Sequence, residues 1–328
     1  MNDQAFTFQT LHPDIIMDAL FEQGIRVDSG LTPLNSYENR VYQFQDEDRQ
    51  RFVVKFYRPQ RWSAEQIQEE HDFAHELVNN EVPVAAPVKF NDQTLLTHQG
   101  YYYAVFPSLG GRQFEADNID QMEWVARYLG RIHQTGRAHA FNARPTMGIQ
   151  EYLIEPRQLF ETSRLIPAPL KDNFLKATDK LIAAVTSRWN DKADMLRLHG
   201  DCHAGNILWR DGPLFVDLDD ARMGPAVQDL WMLLNGDKAE QRMQLETIVE
   251  AYEEFSPFNS DEIALIEPLR AMRYVYYLAW IIRRWDDPAF PRNFPWLTGE
   301  DYWRNQTTTF IEQVKVLQEP PLKLTPMY

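Results

Sequence analysis

The chain has 328 residues, 44% of them hydrophobic, and its 33 basic against 48 acidic residues give a formal charge of −15. That length suits two domains or two lobes of one, in an ordinary globular balance rich enough in aromatic residues to exclude disorder for most of the chain. An acidic surface repels a phosphate backbone, so nucleic acid is excluded as a partner, and any polyphosphate must be met by local cations or metal.

The first residues, MNDQAFTFQTLHPD, carry neither the basic nor the apolar segment of a signal peptide. Residues 12–24 read as a short helix started by His12-Pro13, with Ile15, Ile16, Ala19 and Leu20 inward and Gly24 as its stop. RVYQF (40–44) and RFVVKFY (51–57) read as a strand hairpin. Residues 63–80 return to helical period, with Ile67, Glu70, Ala74 and Leu77 on one face. Two more strands are predicted around Thr94–Thr97 and Tyr101–Phe106, giving an antiparallel sheet with one helix on it. After Gly111 the pattern predicts helices over 118–135 and 168–189, and a strand pair made of LRLHG (196–200) and LFVDLD (214–219). Long helical stretches follow at 226–256, 261–286 and 300–317, and only the tail with Pro320, Pro321 and Pro326 reads as loose. The predicted fold is α+β and bilobal: a small antiparallel-sheet lobe over 1–107, and a larger, mainly helical lobe over 108–328.

The chemistry concentrates in H199-G200-D201-C202-H203-A204-G205-N206, with Asp217 sixteen residues after Asp201 at the end of the apolar run Leu214-Phe215-Val216. Phosphoryl transfer needs a carboxylate to orient a hydroxyl and accept its proton, and hard oxygen ligands to hold magnesium on ATP. Asp201 supplies the first; Asn206 and Asp217 supply the second. Gly205 is expected to permit the tight turn between Asp201 and Asn206.

Lys55 lies within the apolar strand 51–57, where an ammonium is costly unless paired. It is read as the lysine that touches the ATP phosphates, with a carboxylate partner among Glu65, Glu69 and Glu70. Glu70 is chosen because it shares the apolar face of its helix, whereas Glu69 is rotated about 100° away. The loop 34–40 should cover the phosphates without any glycine, with Ser36 as a hydroxyl donor to them; an ordinary polar hairpin loop is the alternative. Val105, Phe106 and Leu109, in the segment joining the lobes, are expected to line a slot for adenine.

On these residues the chain resembles the aminoglycoside-phosphotransferase and choline-kinase-like enzymes, a branch of the protein-kinase-like fold. The resemblance rests on LHGDCHAGNIL (198–208), FVDLDDARMGPAVQDLW (215–231), LGRIHQTG (129–136) and FVVKFY (52–57). NSYENRVYQF (35–44) and RFVVKFYRP (51–59) further resemble a bacterial stress-response branch that phosphorylates protein serine and threonine. The resemblance implies Asp201 as catalytic base, Asn206 and Asp217 as Mg2+ ligands, Lys55 as phosphate lysine, Ser36 in the nucleotide loop and Asp229 as a structural support of the catalytic loop. HGD stands where many eukaryotic protein kinases have HRD, and DLD replaces DFG. The segment from Asp217 to Asp229 is too short for a long activation loop.

Three histidines and the cysteine complete the set. His199 opens the motif in a supporting place, His203 is either a phosphate contact or a loop-stabilising donor, and His133 falls on an apolar helix face as a core residue. The lone Cys202 allows no disulfide, fits a reducing compartment and reads as a packed side chain that could be oxidation-sensitive. No run approaches 18 apolar residues. A cytoplasmic monomer without membrane contact is expected. The aromatic helix A271–W280 is core or a wall of the acceptor cleft. The acceptor is a protein Ser or Thr, or alternatively a small hydroxyl compound of choline, homoserine or aminoglycoside type; a nucleotide-binding module without catalysis is the third reading.

Overall fold

A computed structural model describes residues 7–190 and 193–325. Helix α1 (Pro13–Glu22) begins on a proline, which has no N–H to leave unpaired, and ends before Gly24 at φ 78°. The strands β1 (Thr32–Pro33), β2 (Arg40–Gln45) and β3 (Arg51–Phe56) follow, then helix α2 (Ala64–Asn79), opened by a reciprocal Ser63–Gln66 capping box. Strands β4 (Leu96–His98) and β5 (Tyr101–Pro107) complete a five-stranded antiparallel sheet in the order β1-β2-β3-β5-β4.

Strand alternation divides this sheet into two faces. Val54 and Phe56 of β3, with Tyr103 and Val105 of β5, pack with Ile16, Ala19 and Leu20 of α1 into one core. Lys55 stands opposite Val41 and Ala104 and faces the other way, toward α2. There Ile67 packs with Tyr57 and Ala104, while Phe73, Ala74 and Leu77 of α2 join the core of the larger lobe. Helix α2 therefore stitches both halves of the molecule together.

Beyond Ser108–Gly111 the chain is mainly helical. Strand β6 (Arg112–Gln113) leads to α3 (Ile119–Ala138), α4 (Glu155–Thr162) and α5 (Ala168–Thr186). Four short strands follow: β7 (Leu196–Leu198), β8 (Ile207–Trp209), β9 (Pro213–Phe215) and β10 (Arg222–Gly224). Helices α6 (Val227–Trp231), α7 (Lys238–Tyr252), α8 (Ile266–Arg283), α9 (Ala289–Asn293) and α10 (Glu300–Gln318) finish the lobe. Among the described residues no helix is long and apolar enough to cross a membrane.

Three expectations need correction. The segments 196–200 and 214–219 do not pair with each other: β7 pairs with β10, and β9 pairs with β8. β9 takes its sequence neighbour β8 in a hairpin, and β7 takes the more distant β10, which leaves the two expected partners apart. The stretch 226–256 is not one helix, because Gly236 at φ 79° and the Asp237–Glu240 capping box restart it. The tail is tied down as far as Thr325, which donates to Glu246 while Leu322 and Leu324 pack on the core; Pro326 lies outside the described residues.

Helix α3 crosses β7 so closely that a Cβ on Gly136 would sit 2.3 Å from the carbonyl oxygen of Arg197. A backbone atom cannot yield as a side chain can. Gly136→Ala should therefore lower stability by about 1–3 kcal/mol or more, read as an earlier urea midpoint; an unchanged midpoint would mean the crossing is looser than described.

Candidate active site

The site is built around Lys55. Its Nζ lies 3.1 Å from Asp217 Oδ1, 3.1 Å from Asp219 Oδ1 and 3.5 Å from Glu70 Oε1. Burial alone would push the ammonium down, but Asp219, Glu70 and Asp217 outweigh it and hold Lys55 well above its ordinary value. Glu70 also accepts from Arg144 Nη2 at 2.8 Å, and burial raises its carboxyl against the pull of both cations. Glu69 is elsewhere, accepting the backbone N–H groups of Asn142, Ala143 and Arg144. Asp219 is buried between Lys55 and Arg61; burial raises its carboxyl, but Arg61, Lys55 and Arg144 hold it well below the usual carboxylate range.

The loop after β7 carries the second group. Gly200 adopts φ 87°, and a Cβ there would lie 2.1 Å from the Asp220 carbonyl oxygen. Gly205, expected to be the permissive glycine, has no positive φ; its side needs space, because a Cβ would meet the His203 ring at 2.7 Å. Asp229 holds the loop from behind. It accepts the backbone N–H groups of His199 and Gly200, each at 2.9 Å, and meets His133 Nε2 at 3.0 Å. His199 Nε2 donates to Val216 O at 3.0 Å, so the histidine ties this loop to the one that carries Asp217.

Asp201 faces a cavity of about 490 Å³. Arg273 Nη1 lies 2.6 Å from its Oδ1 and His203 Nε2 lies 3.4 Å from its Oδ2. Burial pushes the carboxyl up, yet His203 and Arg273 hold it well below the ordinary range. His203 takes the Gly205 N–H on its Nδ1, which leaves its Nε2–H toward Asp201. Asn206 donates its amide nitrogen to the Asp201 carbonyl at 2.9 Å, leaving its amide oxygen to present to a cation. Asp217 takes the left-handed conformation (φ 62°, ψ 69°) with its side chain half exposed. The pair Asn206 and Asp217 is an amide oxygen and a carboxylate, a hard donor set that fits Mg2+.

A second cavity, about 350 Å³, lies under the sheet. Val53, Lys55, Glu70, Phe106, Ser108, Leu109 and Leu218 line it. The two cavities share Asn35, Ser36, Gly205, Asn206 and Asp217. Val105, expected to line this slot, does not: alternation turns it into the sheet core, and its carbonyl accepts from Val88 N–H at 2.7 Å. Cys202 is buried, and burial pushes its thiol well above its ordinary value, so the expected sensitivity to oxidation finds no physical footing.

Among the charged residues of the site that escaped the sequence reading are Arg61, Arg144, Asp219 and Arg273. A signal existed for two. Asp219 follows Asp217 at the strand end, and Arg273 interrupts the apolar run of α8 as Lys55 interrupts β3. Arg61 and Arg144 sit in loops with no pattern to flag them. On α8, Tyr276, Tyr277 and Trp280 line the cavity over Asp201, as does the buried Met272, whereas Ala271, Val275, Leu278 and Ala279 are buried in the core.

Residues 30–266 match the model of the phosphotransferase enzyme family. The chain is 80% identical to stress response kinase A of Escherichia coli (strain K12), over 100% of both chains. It is 78% identical to a serine/threonine protein kinase named RdoA of Salmonella typhimurium (strain LT2), again over 100% of both. Among solved structures, a microcompartment-associated aminopropanol kinase superposes with TM-score 0.72 at 16% identity, covering 95% of this chain and 99% of its own. The amicoumacin kinase hAmiN, in complex with AMP-PNP, Ca2+ and Ami, gives 0.69 at 20% identity over 93% and 94%. These two likenesses show the fold.

Removing one partner from a buried charge cluster leaves the others uncompensated. Asp219→Asn should cost about 3 kcal/mol of stability or more in chemical denaturation at neutral pH. Because the Asp219 carboxyl is held below its unfolded range, its contribution is full above the ordinary carboxylate range and fades as pH falls through it. The gap between wild type and variant should therefore narrow in acid; a pH-independent gap would count against the pairing.

Proposed function

The chain belongs to the phosphotransferase enzyme family, and from that premise we propose that it transfers the γ-phosphoryl group of ATP to the hydroxyl of a serine or threonine on a protein. One observation carries the reading: the cavity holding Lys55 and the cavity holding Asp201 meet at Ser36, Asn206 and Asp217. A nucleotide laid along the first would present its terminal phosphate at that junction. Residues 1–107 form the nucleotide lobe in this proposal, and 108–328 the catalytic and acceptor lobe. Protein as the acceptor is favoured by the full-length likeness to a serine/threonine protein kinase. A part in the stress response is favoured by the kinase of that name.

In the mechanism, Phe106 and Leu109 flank the purine, and the Ser108 segment offers backbone groups to it. Lys55 pairs with the phosphates nearest the sheet, with Glu70 and Asp219 fixing its position. Ser36 donates its hydroxyl where the two cavities join. Asn206 and Asp217 would hold Mg2+, which supplies charge neutralisation on the phosphates. Asp201 receives the acceptor hydroxyl, orients it and takes its proton. A carboxyl held far below its usual range is a weak base. In a loose phosphoryl-transfer transition state, however, orientation matters more than early proton removal. Asp229 and His199 keep the loop in place behind Asp201.

A second reading is favoured by the acceptor cavity itself. Its walls carry Tyr37, Tyr152, Tyr276, Tyr277 and Trp280 together with Glu38, Asp219 and Asp220. A cavity walled by aromatic rings suits a small amino alcohol or amino sugar, and the aminopropanol kinase shares the fold.

Incubation with γ-labelled ATP, Mg2+ and protein or small-molecule acceptors separates the readings. Label is expected on protein serine or threonine and to disappear with EDTA; label only on an amino alcohol would establish the second. Asp217→Asn should abolish transfer, and Asp201→Asn should lower turnover by about 10²–10⁴ with ATP affinity unchanged. Full activity in the first variant, or lost ATP binding in the second, would reverse those assignments.

A further inference from the structure

Arg273 has no part in the reaction as derived above, yet it makes the shortest contact that Asp201 has. It sits on α8, on the face that also carries Tyr276, Tyr277 and Trp280 into the acceptor cavity. Its Nη1 is 2.6 Å from Asp201 Oδ1 and 3.9 Å from the Met232 sulfur. Its side chain remains 42% exposed.

The other cations of the two cavities differ from it. Lys55 is buried and held by three carboxylates. Arg61 is nearly buried and held by Asp219 and Asp220. Among the described residues, Arg273 is in ion-pair contact with Asp201 alone. It is thus the cation of the acceptor cavity with the fewest ties and the most room.

The position it occupies matters. An acceptor hydroxyl must come within about 2.6–3.2 Å of a carboxylate oxygen of Asp201. Oδ2 faces His203 at 3.4 Å and the Asn206 amide at 3.5 Å. Oδ1 is taken by Arg273. A hydroxyl that approaches Asp201 on the Oδ1 side meets the guanidinium there and displaces it. A long, half-exposed arginine displaced by that short distance stays beside the phosphoryl group passing to the hydroxyl. In that transition state, charge spreads over three equatorial oxygens, and a planar guanidinium matches two of them.

We propose that Arg273 is a further catalytic residue: it yields Asp201 Oδ1 to the acceptor hydroxyl and moves onto the equatorial oxygens of the phosphoryl group in transfer. The bond between acceptor oxygen and γ-phosphorus forms as the bond from that phosphorus to the β–γ bridging oxygen breaks. ADP leaves with the electron pair, the hydroxyl proton passes to Asp201, and Arg273 keeps all its protons. The proposal rests on the kinase reading given above. It also places on the acceptor side a cation that balances Lys55 on the donor side.

The test compares wild type, Arg273→Ala, Arg273→Lys and Asp201→Asn in γ-labelled ATP turnover, with dephosphorylated casein and with water as acceptors. Arg273→Ala is expected to lose kcat by at least about 10²-fold, with KM for ATP and the thermal midpoint unchanged. Arg273→Lys should recover part of that loss, and added guanidinium ion should rescue Arg273→Ala in part. Wild-type or faster turnover in Arg273→Ala, beside a dead Asp201→Asn, overturns the proposal and leaves the kinase reading standing. A rise in KM for ATP with unchanged kcat also overturns it, by making Arg273 a nucleotide contact. Wild type that transfers to neither acceptor removes the kinase reading for these acceptors, and the proposal with it.

Discussion

The buried ammonium of Lys55 and the three carboxylates around it are the constraint on which the site depends. The four groups come from distant parts of the chain: β3, α2 and the segment after β9. None could be buried alone, since an unpaired charge in a low-dielectric interior is far too costly. Their mutual need brings sheet, helix and catalytic lobe to one point. Arg61 and Arg144 extend the cluster, and Arg144 also donates to the carbonyls of Asp219 and Ala221. The result is a fixed charge cluster beside the cavity under the sheet.

The loop that carries Asp201 is held by a different logic. Asp229 gathers two backbone N–H groups, and its neighbour His133 rests on Tyr252, so α6, α3 and α7 all anchor one turn. Gly200 can lie against Asp220 only because it has no side chain. Rigidity behind Asp201 contrasts with the half-exposed Arg273 in front of it. In the proposed reaction that contrast is useful: the carboxylate stays still while the cation exchanges partners.

Much of this was legible in the sequence. Local patterns read well where one period dominated: the hairpin around Lys55, the α2 face and the aromatic face of α8. The choice of Glu70 over Glu69 followed from a 100° rotation per residue, and the structure brings Glu70 to Lys55. The failures have physical causes. Strands of three residues carry too little pattern to specify a partner, so the pairing of 196–200 was misread. Val105 was assigned to the nucleotide slot by neighbourhood, although alternation with Phe106 already placed one of the two in the core. Arg61 and Arg144 were invisible because only tertiary burial of Asp219 and Glu70 creates the demand for them.

On the donor side the proposal rests on Lys55 and its carboxylates beside the junction of the two cavities. The acceptor side is an aromatic cavity that two classes of hydroxyl could enter. A crystal structure with AMP-PNP and Mg2+ bears on the central claim most directly. The account expects the γ-phosphorus at the junction of the two cavities, with Lys55 on one side and Asp201 on the other. A nucleotide bound elsewhere, or one whose terminal phosphate points away from Asp201, would contradict it.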